Sequence, residues 1–245
     1  MIERQIEITT ADGRMSTFIC HPERDVPHPV LVFFMDAPGI REELRDMARR
    51  LGTVGYYVML PNLYYRAGVE ELGSVVGEAN IATRQKALQL MTTISIAMVM
   101  SDLDALLQFA AKDKAASDGP MGCVGYCMSG QYAVNAAARH KERIRAAASI
   151  YGVALVTDKP DSPHLAAQRS DARLYFGCAE NDHYAPMEMI DRLRAEVAGR
   201  GGNVEVEIYP GTAHGFAFPS RPAYDKPAAE RHWERLFTLF GETLT

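Results

Sequence analysis

Residues 30–35, Val30-Leu31-Val32-Phe33-Phe34-Met35, are apolar without a break, and this run constrains the fold more than any other feature of the chain. It is too short for a stand-alone helix and has no polar face, so it reads as a strand covered on both sides. Such strands belong to parallel sheets packed between helices. Leu44, Met47, Ala48 and Leu51 then recur at i, i+3, i+4, i+7 over 41–51, and 55–61 return to a strand, completing a β-α-β unit. The alternation resumes with strands expected at 121–126, 146–151, 172–177 and 204–208, and helices at 129–140 and 186–198. Met100, Leu103, Leu107 and Ala110 mark one long helix over roughly 85–112, and Trp233, Leu236, Phe237 and Phe240 a closing helix. From Leu63 to about Thr83 the pattern is irregular and reads as a long loop with at most a short helix. Ahead of these, 2–10 and 14–20 alternate on either side of Ala11-Asp12-Gly13, a hairpin signal. The expected fold class is α/β: a mostly parallel central sheet of about eight strands, opened by an N-terminal antiparallel hairpin, with helices on both faces. One domain is expected over residues 1–245.

Composition bounds the partners. With 47% hydrophobic and 23% charged residues the chain can bury a sizeable core. Its 26 basic and 31 acidic residues leave a net charge of −5, without the basic stripe that a nucleic-acid binder carries. No stretch reaches the length of an apolar membrane span, and the start, Met1-Ile2-Glu3-Arg4-Gln5-Ile6, lacks the apolar centre of a signal peptide, so a cytoplasmic protein is expected. The four cysteines, Cys20, Cys123, Cys127 and Cys178, are too few and too irregular for a disulfide framework or a zinc ribbon, and free thiols are expected. Nothing in the sequence speaks to oligomeric state.

In a parallel α/β sheet, ligands bind beyond the carboxyl ends of the strands, so chemistry is sought in the segments that follow them. After the strand ending at Gly125-Tyr126 comes Cys127-Met128-Ser129-Gly130 and then a helix. Gly125-x-Cys127-x-Ser129 has the pattern of a nucleophile elbow, whose central residue sits on a strained strand-to-helix turn. Asp182 follows the strand through Phe176, and His214 follows the strand through Ile208. The order nucleophile, acid, histidine is that of α/β-hydrolases. Taken singly, Cys127 reads equally as a small buried hydrophobe, Asp182 as the N-cap of the helix near Pro186, and His214 as a turn residue. Together they assign Cys127 as nucleophile, His214 as its base and Asp182 as the group that orients the imidazole. The Met128 N–H is the first expected oxyanion donor and the Ala37 N–H, in Met35-Asp36-Ala37-Pro38-Gly39, the second, because Pro38 has no proton to offer. Adjacent Asp182 and His183 side chains point apart and no other pair stands at ligand spacing, so neither metal nor cofactor is expected. His21, His28, His140, His164 and His232 read as solvated or satisfied by hydrogen bonds.

These segments resemble the dienelactone hydrolase (carboxymethylenebutenolidase) family over nearly the whole chain. Gly125-Tyr126-Cys127-Met128-Ser129-Gly130 is similar to its Gly-Tyr-Cys-x-Gly-Gly elbow, Asp182-His183-Tyr184-Ala185-Pro186 to its Asp-His-x-x-Pro segment, and His214-Gly215-Phe216 to its His-x-Phe. Leu60-Pro61-Asn62-Leu63-Tyr64 and Ile150-Tyr151-Gly152-Val153 also match. The resemblance implies a Cys127–His214–Asp182 triad hydrolysing a small ester or lactone through a thioester. It also implies a thiol-activating acid, at the position where this chain has Asp36 in place of glutamate. Where the family holds a substrate carboxylate with an arginine, this chain has Phe218, and Arg66, Arg84 and Arg221 are candidate replacements. Tyr64, Tyr65, Tyr151, Phe216 and Phe218 all follow strands and are candidates to line an apolar substrate pocket, with core packing as the alternative. Two rival functions rest on the same residues: a ligand-binding or thiol-sensing protein without turnover, and a hydrolase of another electrophile such as a phosphorus ester.

Overall fold

The computed structural model describes residues 1–73 and 79–244, in two compact units, Met1–Gly122 and Cys123–Thr245. In the first, β1 (Ile2–Thr10) and β2 (Gly13–His21) form the expected antiparallel hairpin, in register from Ile2 opposite His21 to Thr10 opposite Gly13. β3 (Val30–Phe34) pairs in parallel with β4 (Tyr57–Pro61), and β2 runs antiparallel to β4, giving the order β1-β2-β4-β3. Every residue of β3 is fully buried, as an unbroken apolar run requires, each large side chain contributing about 1.5–3 kcal/mol by leaving water. The crossover helix α1 (Glu42–Val54) buries Leu44, Met47, Ala48 and Leu51, the stripe read from the sequence.

Residues 85–112 do not form one helix. α2 (Ala79–Met91) and α3 (Ile96–Ala110) turn 90° from each other, and Ser95 caps α3 by accepting the Met98 N–H at 3.2 Å. The apolar stripe that suggested a single helix belongs to α3 alone, which buries Val99, Met100, Leu103, Leu106 and Ala110. The loop expected from Leu63 to Thr83 holds a short 3₁₀ turn at Tyr65–Ala67 and ends at Ala79, where α2 begins; residues 74–78 of that expectation lie outside the described residues. No single helix among the described residues is long and apolar enough to cross a membrane.

The division between the units falls inside β5 (Met121–Tyr126). The second unit continues with α4 (Gly130–Arg139), β6 (Ile144–Ile150), α5 (Pro163–Arg169), β7 (Arg173–Asn181), α6 (Met187–Val197), β8 (Val204–Ala213) and α7 (Lys226–Thr243). Its strand order is β5-β6-β7-β8, with β6, β7 and β8 parallel, and both α4 and α7 pack on β6. The short helix α5 has no sequence signal long enough to be read. β7 and β8 run several residues past their expected ends, and this delivers Asp182 and His214 at the very tips of adjacent strands.

Candidate active site

The site starts from one strained residue. Cys127 has φ +55°, in the left-handed region that a side chain other than glycine rarely adopts, at a cost of roughly 1–3 kcal/mol. Two hydrogen bonds hold it there: its carbonyl accepts from the Gly130 N–H and, at 3.2 Å, from the Val153 N–H. The chain closes this tightly only because its neighbours lack side chains. A Cβ on Gly125 would lie 2.0 Å from the Ser129 carbonyl oxygen, and one on Gly130 would lie 2.3 Å from Ser149 Oγ. Met128 follows Cys127 in the turn that opens α4.

The four thiols differ sharply. Cys20, Cys123 and Cys178 are buried, and burial pushes the Cys20 and Cys178 thiols up to about 12 and that of Cys123 still higher, so all three stay protonated and inert. Cys127 alone is part-exposed.

His214 faces it from the end of β8. Its Nδ1–H donates to Asp182 Oδ2 at 2.6 Å, which leaves Nε2 as the nitrogen for the thiol. Burial alone would lower the imidazole pKa, but hydrogen bonds to Asp182 and Cys127, and the charges behind them, raise it to about 10. Nε2 is buried, and the Cys127 thiol is the group that couples to it, without a hydrogen bond of full geometry. Asp182 is 5% exposed, and its second oxygen accepts the Tyr184 N–H at 2.9 Å. It does not cap α6, whose N-cap is Pro186.

The other candidates divide. Asp36 is buried in a fork: Arg41 donates to its two oxygens at 2.6 and 3.1 Å, and also to the Gly39 carbonyl and to Glu43. Burial works against the Arg41 charge, and the Asp36 and Glu43 carboxylates raise its pKa in spite of it. Ala37 is buried in the same loop, its carbonyl accepting the Tyr64 hydroxyl at 2.6 Å. Arg66, a candidate for a substrate carboxylate, already holds Asp102 through two nitrogens at 2.7 and 2.8 Å.

The exposure expected of pocket lining is not found at the five aromatic candidates. Tyr65 is buried with its hydroxyl bonded to Thr10 and Asp102. Tyr64, Tyr151, Phe216 and Phe218 are buried as well, because the last three pack with Tyr126 and His232 into an aromatic core. His232, read as an ordinary satisfied histidine, is fully buried and accepts the Tyr126 hydroxyl at Nε2, 3.1 Å. Sequence reasoning missed two residues. Arg41, five places after Asp36, gives no motif that announces its fork, and Tyr184 sits inside a quoted motif without any sign of its exposure. Among the described residues no cluster of three or more His, Cys, Asp or Glu side chains is placed to hold a metal ion.

Comparison with known proteins supplies the relatives. The model of the dienelactone hydrolase family matches residues 15–244. A Methylorubrum extorquens protein provisionally named a carboxymethylenebutenolidase is 29% identical over 99% of this chain and 81% of its own. The carboxymethylenebutenolidase of Pseudomonas putida is 27% identical, covering 96% of this chain and 94% of its own. Among solved structures, a Klebsiella pneumoniae protein provisionally named a dienelactone hydrolase superposes with a TM-score of 0.84 at 23% identity, covering 98% of both chains. A dienelactone-hydrolase-like promiscuous phosphotriesterase from metagenomic libraries follows at 0.77 and 18%, covering 100% of this chain and 99% of its own. These likenesses show the α/β-hydrolase fold over the chain.

Proposed function

The chain belongs to the dienelactone hydrolase family and is a hydrolase of small esters or lactones, and we propose that it works through a Cys127 nucleophile, with His214 as its base and Asp182 holding the imidazole. The observation that carries this reading is His214 itself: one ring nitrogen is bonded to Asp182 at 2.6 Å, and the imidazole shares hydrogen bonding and charge with the strained Cys127 thiol. The family model runs through the division between the two units, which supports reading the chain as one catalytic domain.

The chemistry follows from the geometry. His214 Nε2 holds the proton that the thiol gives up, its raised pKa favouring the imidazolium, and the thiolate attacks the ester carbonyl. Negative charge gathers on the carbonyl oxygen, and the Met128 N–H at the start of α4 is the donor proposed to meet it. As the intermediate collapses, His214 returns its proton to the leaving alcohol, and the acyl group stays on sulfur as a thioester. Water then attacks with His214 as base, releasing the acid and restoring the thiol. Asp182 keeps the proton-bearing Nδ1 turned away from sulfur throughout and stabilises the imidazolium. Phe218 is buried among aromatic rings and Arg66 is committed to Asp102, so neither position is open to a substrate carboxylate, which supports a neutral substrate.

The test is an activated-ester assay with rapid mixing. A burst of chromophore equal to the enzyme concentration is expected, with the acyl group found on Cys127 by mass spectrometry and both lost in Cys127→Ala. A chain that is alkylated or oxidised at Cys127 but turns over no ester in a broad panel would be a thiol sensor instead.

A further inference from the structure

One large hydrophobic side chain is exposed among the described residues of the second unit: Tyr184, at 39%. It is tied to the proposed triad at both ends. Its backbone N–H is bonded to Asp182, and its ring meets the His214 ring edge-on, with centroids 4.9 Å apart and planes at 65°. His183 backs the ring, their centroids 3.8 Å apart. On another contact of the same imidazole, Tyr151 makes a nearly equivalent approach, 5.0 Å and 64°, yet Tyr151 is only 1% exposed. His214 is thus held by two tyrosines, one sunk in the core and one open to solvent. Packing of the imidazole accounts for the first; an aromatic ring kept in water beside a reacting group is the arrangement of a ligand wall.

We propose that Tyr184 is a specificity-determining residue, whose exposed ring receives an apolar substituent on the alcohol portion of the ester. The proposal rests on the triad reading, and the side of the substrate follows from it. His214 must give its proton to the departing alcohol, so that oxygen lies within hydrogen-bond reach of Nε2. Any group carried on that oxygen then lies within a few ångströms of a ring packed against the same imidazole, whereas the acyl group stays with sulfur. The exposed surface is an aromatic ring and Asp182 lies behind the imidazole, so the matching substituent is a neutral aryl or alkyl group.

The experiment compares methyl and benzyl acetate, which share the acyl group, and then methyl acetate and methyl phenylacetate, which share the alcohol, in wild type, Tyr184→Ala, Tyr184→Phe and Cys127→Ala. Tyr184→Ala is expected to lower kcat/KM about tenfold more for benzyl acetate than for methyl acetate, and Tyr184→Phe to stay near wild type on both. The loss should sit mainly in KM. Iodoacetamide labelling of Cys127 at the wild-type rate in Tyr184→Ala confirms that the thiol environment is intact. Equal losses on methyl and benzyl acetate, or a loss that follows the acyl group, would overturn the proposal while wild-type turnover lost in Cys127→Ala still upholds the triad. A wild type that hydrolyses none of the esters overturns both.

Discussion

Asp36 and Asp182 are the same residue in almost the same setting, and they hold opposite kinds of partner. Each lies just beyond a strand end, and they are 2% and 5% exposed. Each has both oxygens engaged: Asp36 by the two guanidinium nitrogens of Arg41, Asp182 by the His214 ring and the Tyr184 N–H. Burial costs the two carboxylates similar hydration, so what separates them is the partner. A guanidinium keeps its proton at any pH the fold survives, so Asp36 and Arg41 form a fixed ion pair that ties the loop from Asp36 through the Gly39 carbonyl to the start of α1. An imidazole can lose its proton, so Asp182 holds a group whose charge can change. Of these two buried carboxylates, only Asp182 holds a partner that can titrate.

The largest expected effect tests the Asp182 half. Asp182→Asn keeps the shape but removes the acceptor that fixes the His214 tautomer, and kcat should fall about 10²–10⁴-fold with folding retained. Circular dichroism and steady-state kinetics on one preparation check this. A loss under about threefold would mean that the imidazole is oriented by something else.

Asp36→Asn should show the reverse balance. Arg41→Gln leaves the buried Asp36 carboxylate uncompensated, at a cost of about 3–5 kcal/mol, whereas Asp36→Asn leaves Arg41 paired with Glu43 and costs less. Urea denaturation should register a loss for Asp36→Asn and a larger one for Arg41→Gln. The double variant should lose much less than the sum, because the two substitutions remove one interaction. Additive losses would show that Asp36 and Arg41 act independently, and the contrast with Asp182 would fail.

The same contrast governs what could be read from the chain. Strands β3, β4 and β5 and the stripe of α1 were legible because burial writes itself into apolar periodicity. The break between α2 and α3 was not, since the single apolar stripe carries no mark of a 90° turn at Thr92–Ser95. Around the site, Cys127, Asp182 and His214 could be picked out because each is a reactive residue type just past a strand. The fork on Asp36 could not, for it depends on how the Arg41 side chain folds back over Gly39, and pairing of that kind leaves no period in the sequence. The aromatic residues were legible as a group but not by role: periodicity predicts which rings leave water, and Tyr184 is distinguished by failing to.

A further expected effect separates the two aspartates by pH. The His214 pKa is raised from 6.5 to about 10 in the folded chain. A raised pKa contributes stability that is complete below the unfolded value, near 6.5, and is lost as pH climbs through the folded one. The stability difference between wild type and His214→Gln should therefore shrink steadily from about pH 6.5 to 10. The difference between wild type and Asp36→Asn should stay level across the same interval, because Arg41 remains protonated throughout. Urea midpoints at four or five pH values for the three proteins suffice. Parallel lines for both variants would mean that His214 gains no proton affinity on folding, and that above about pH 6.5 its bond to Asp182 is not an ion pair.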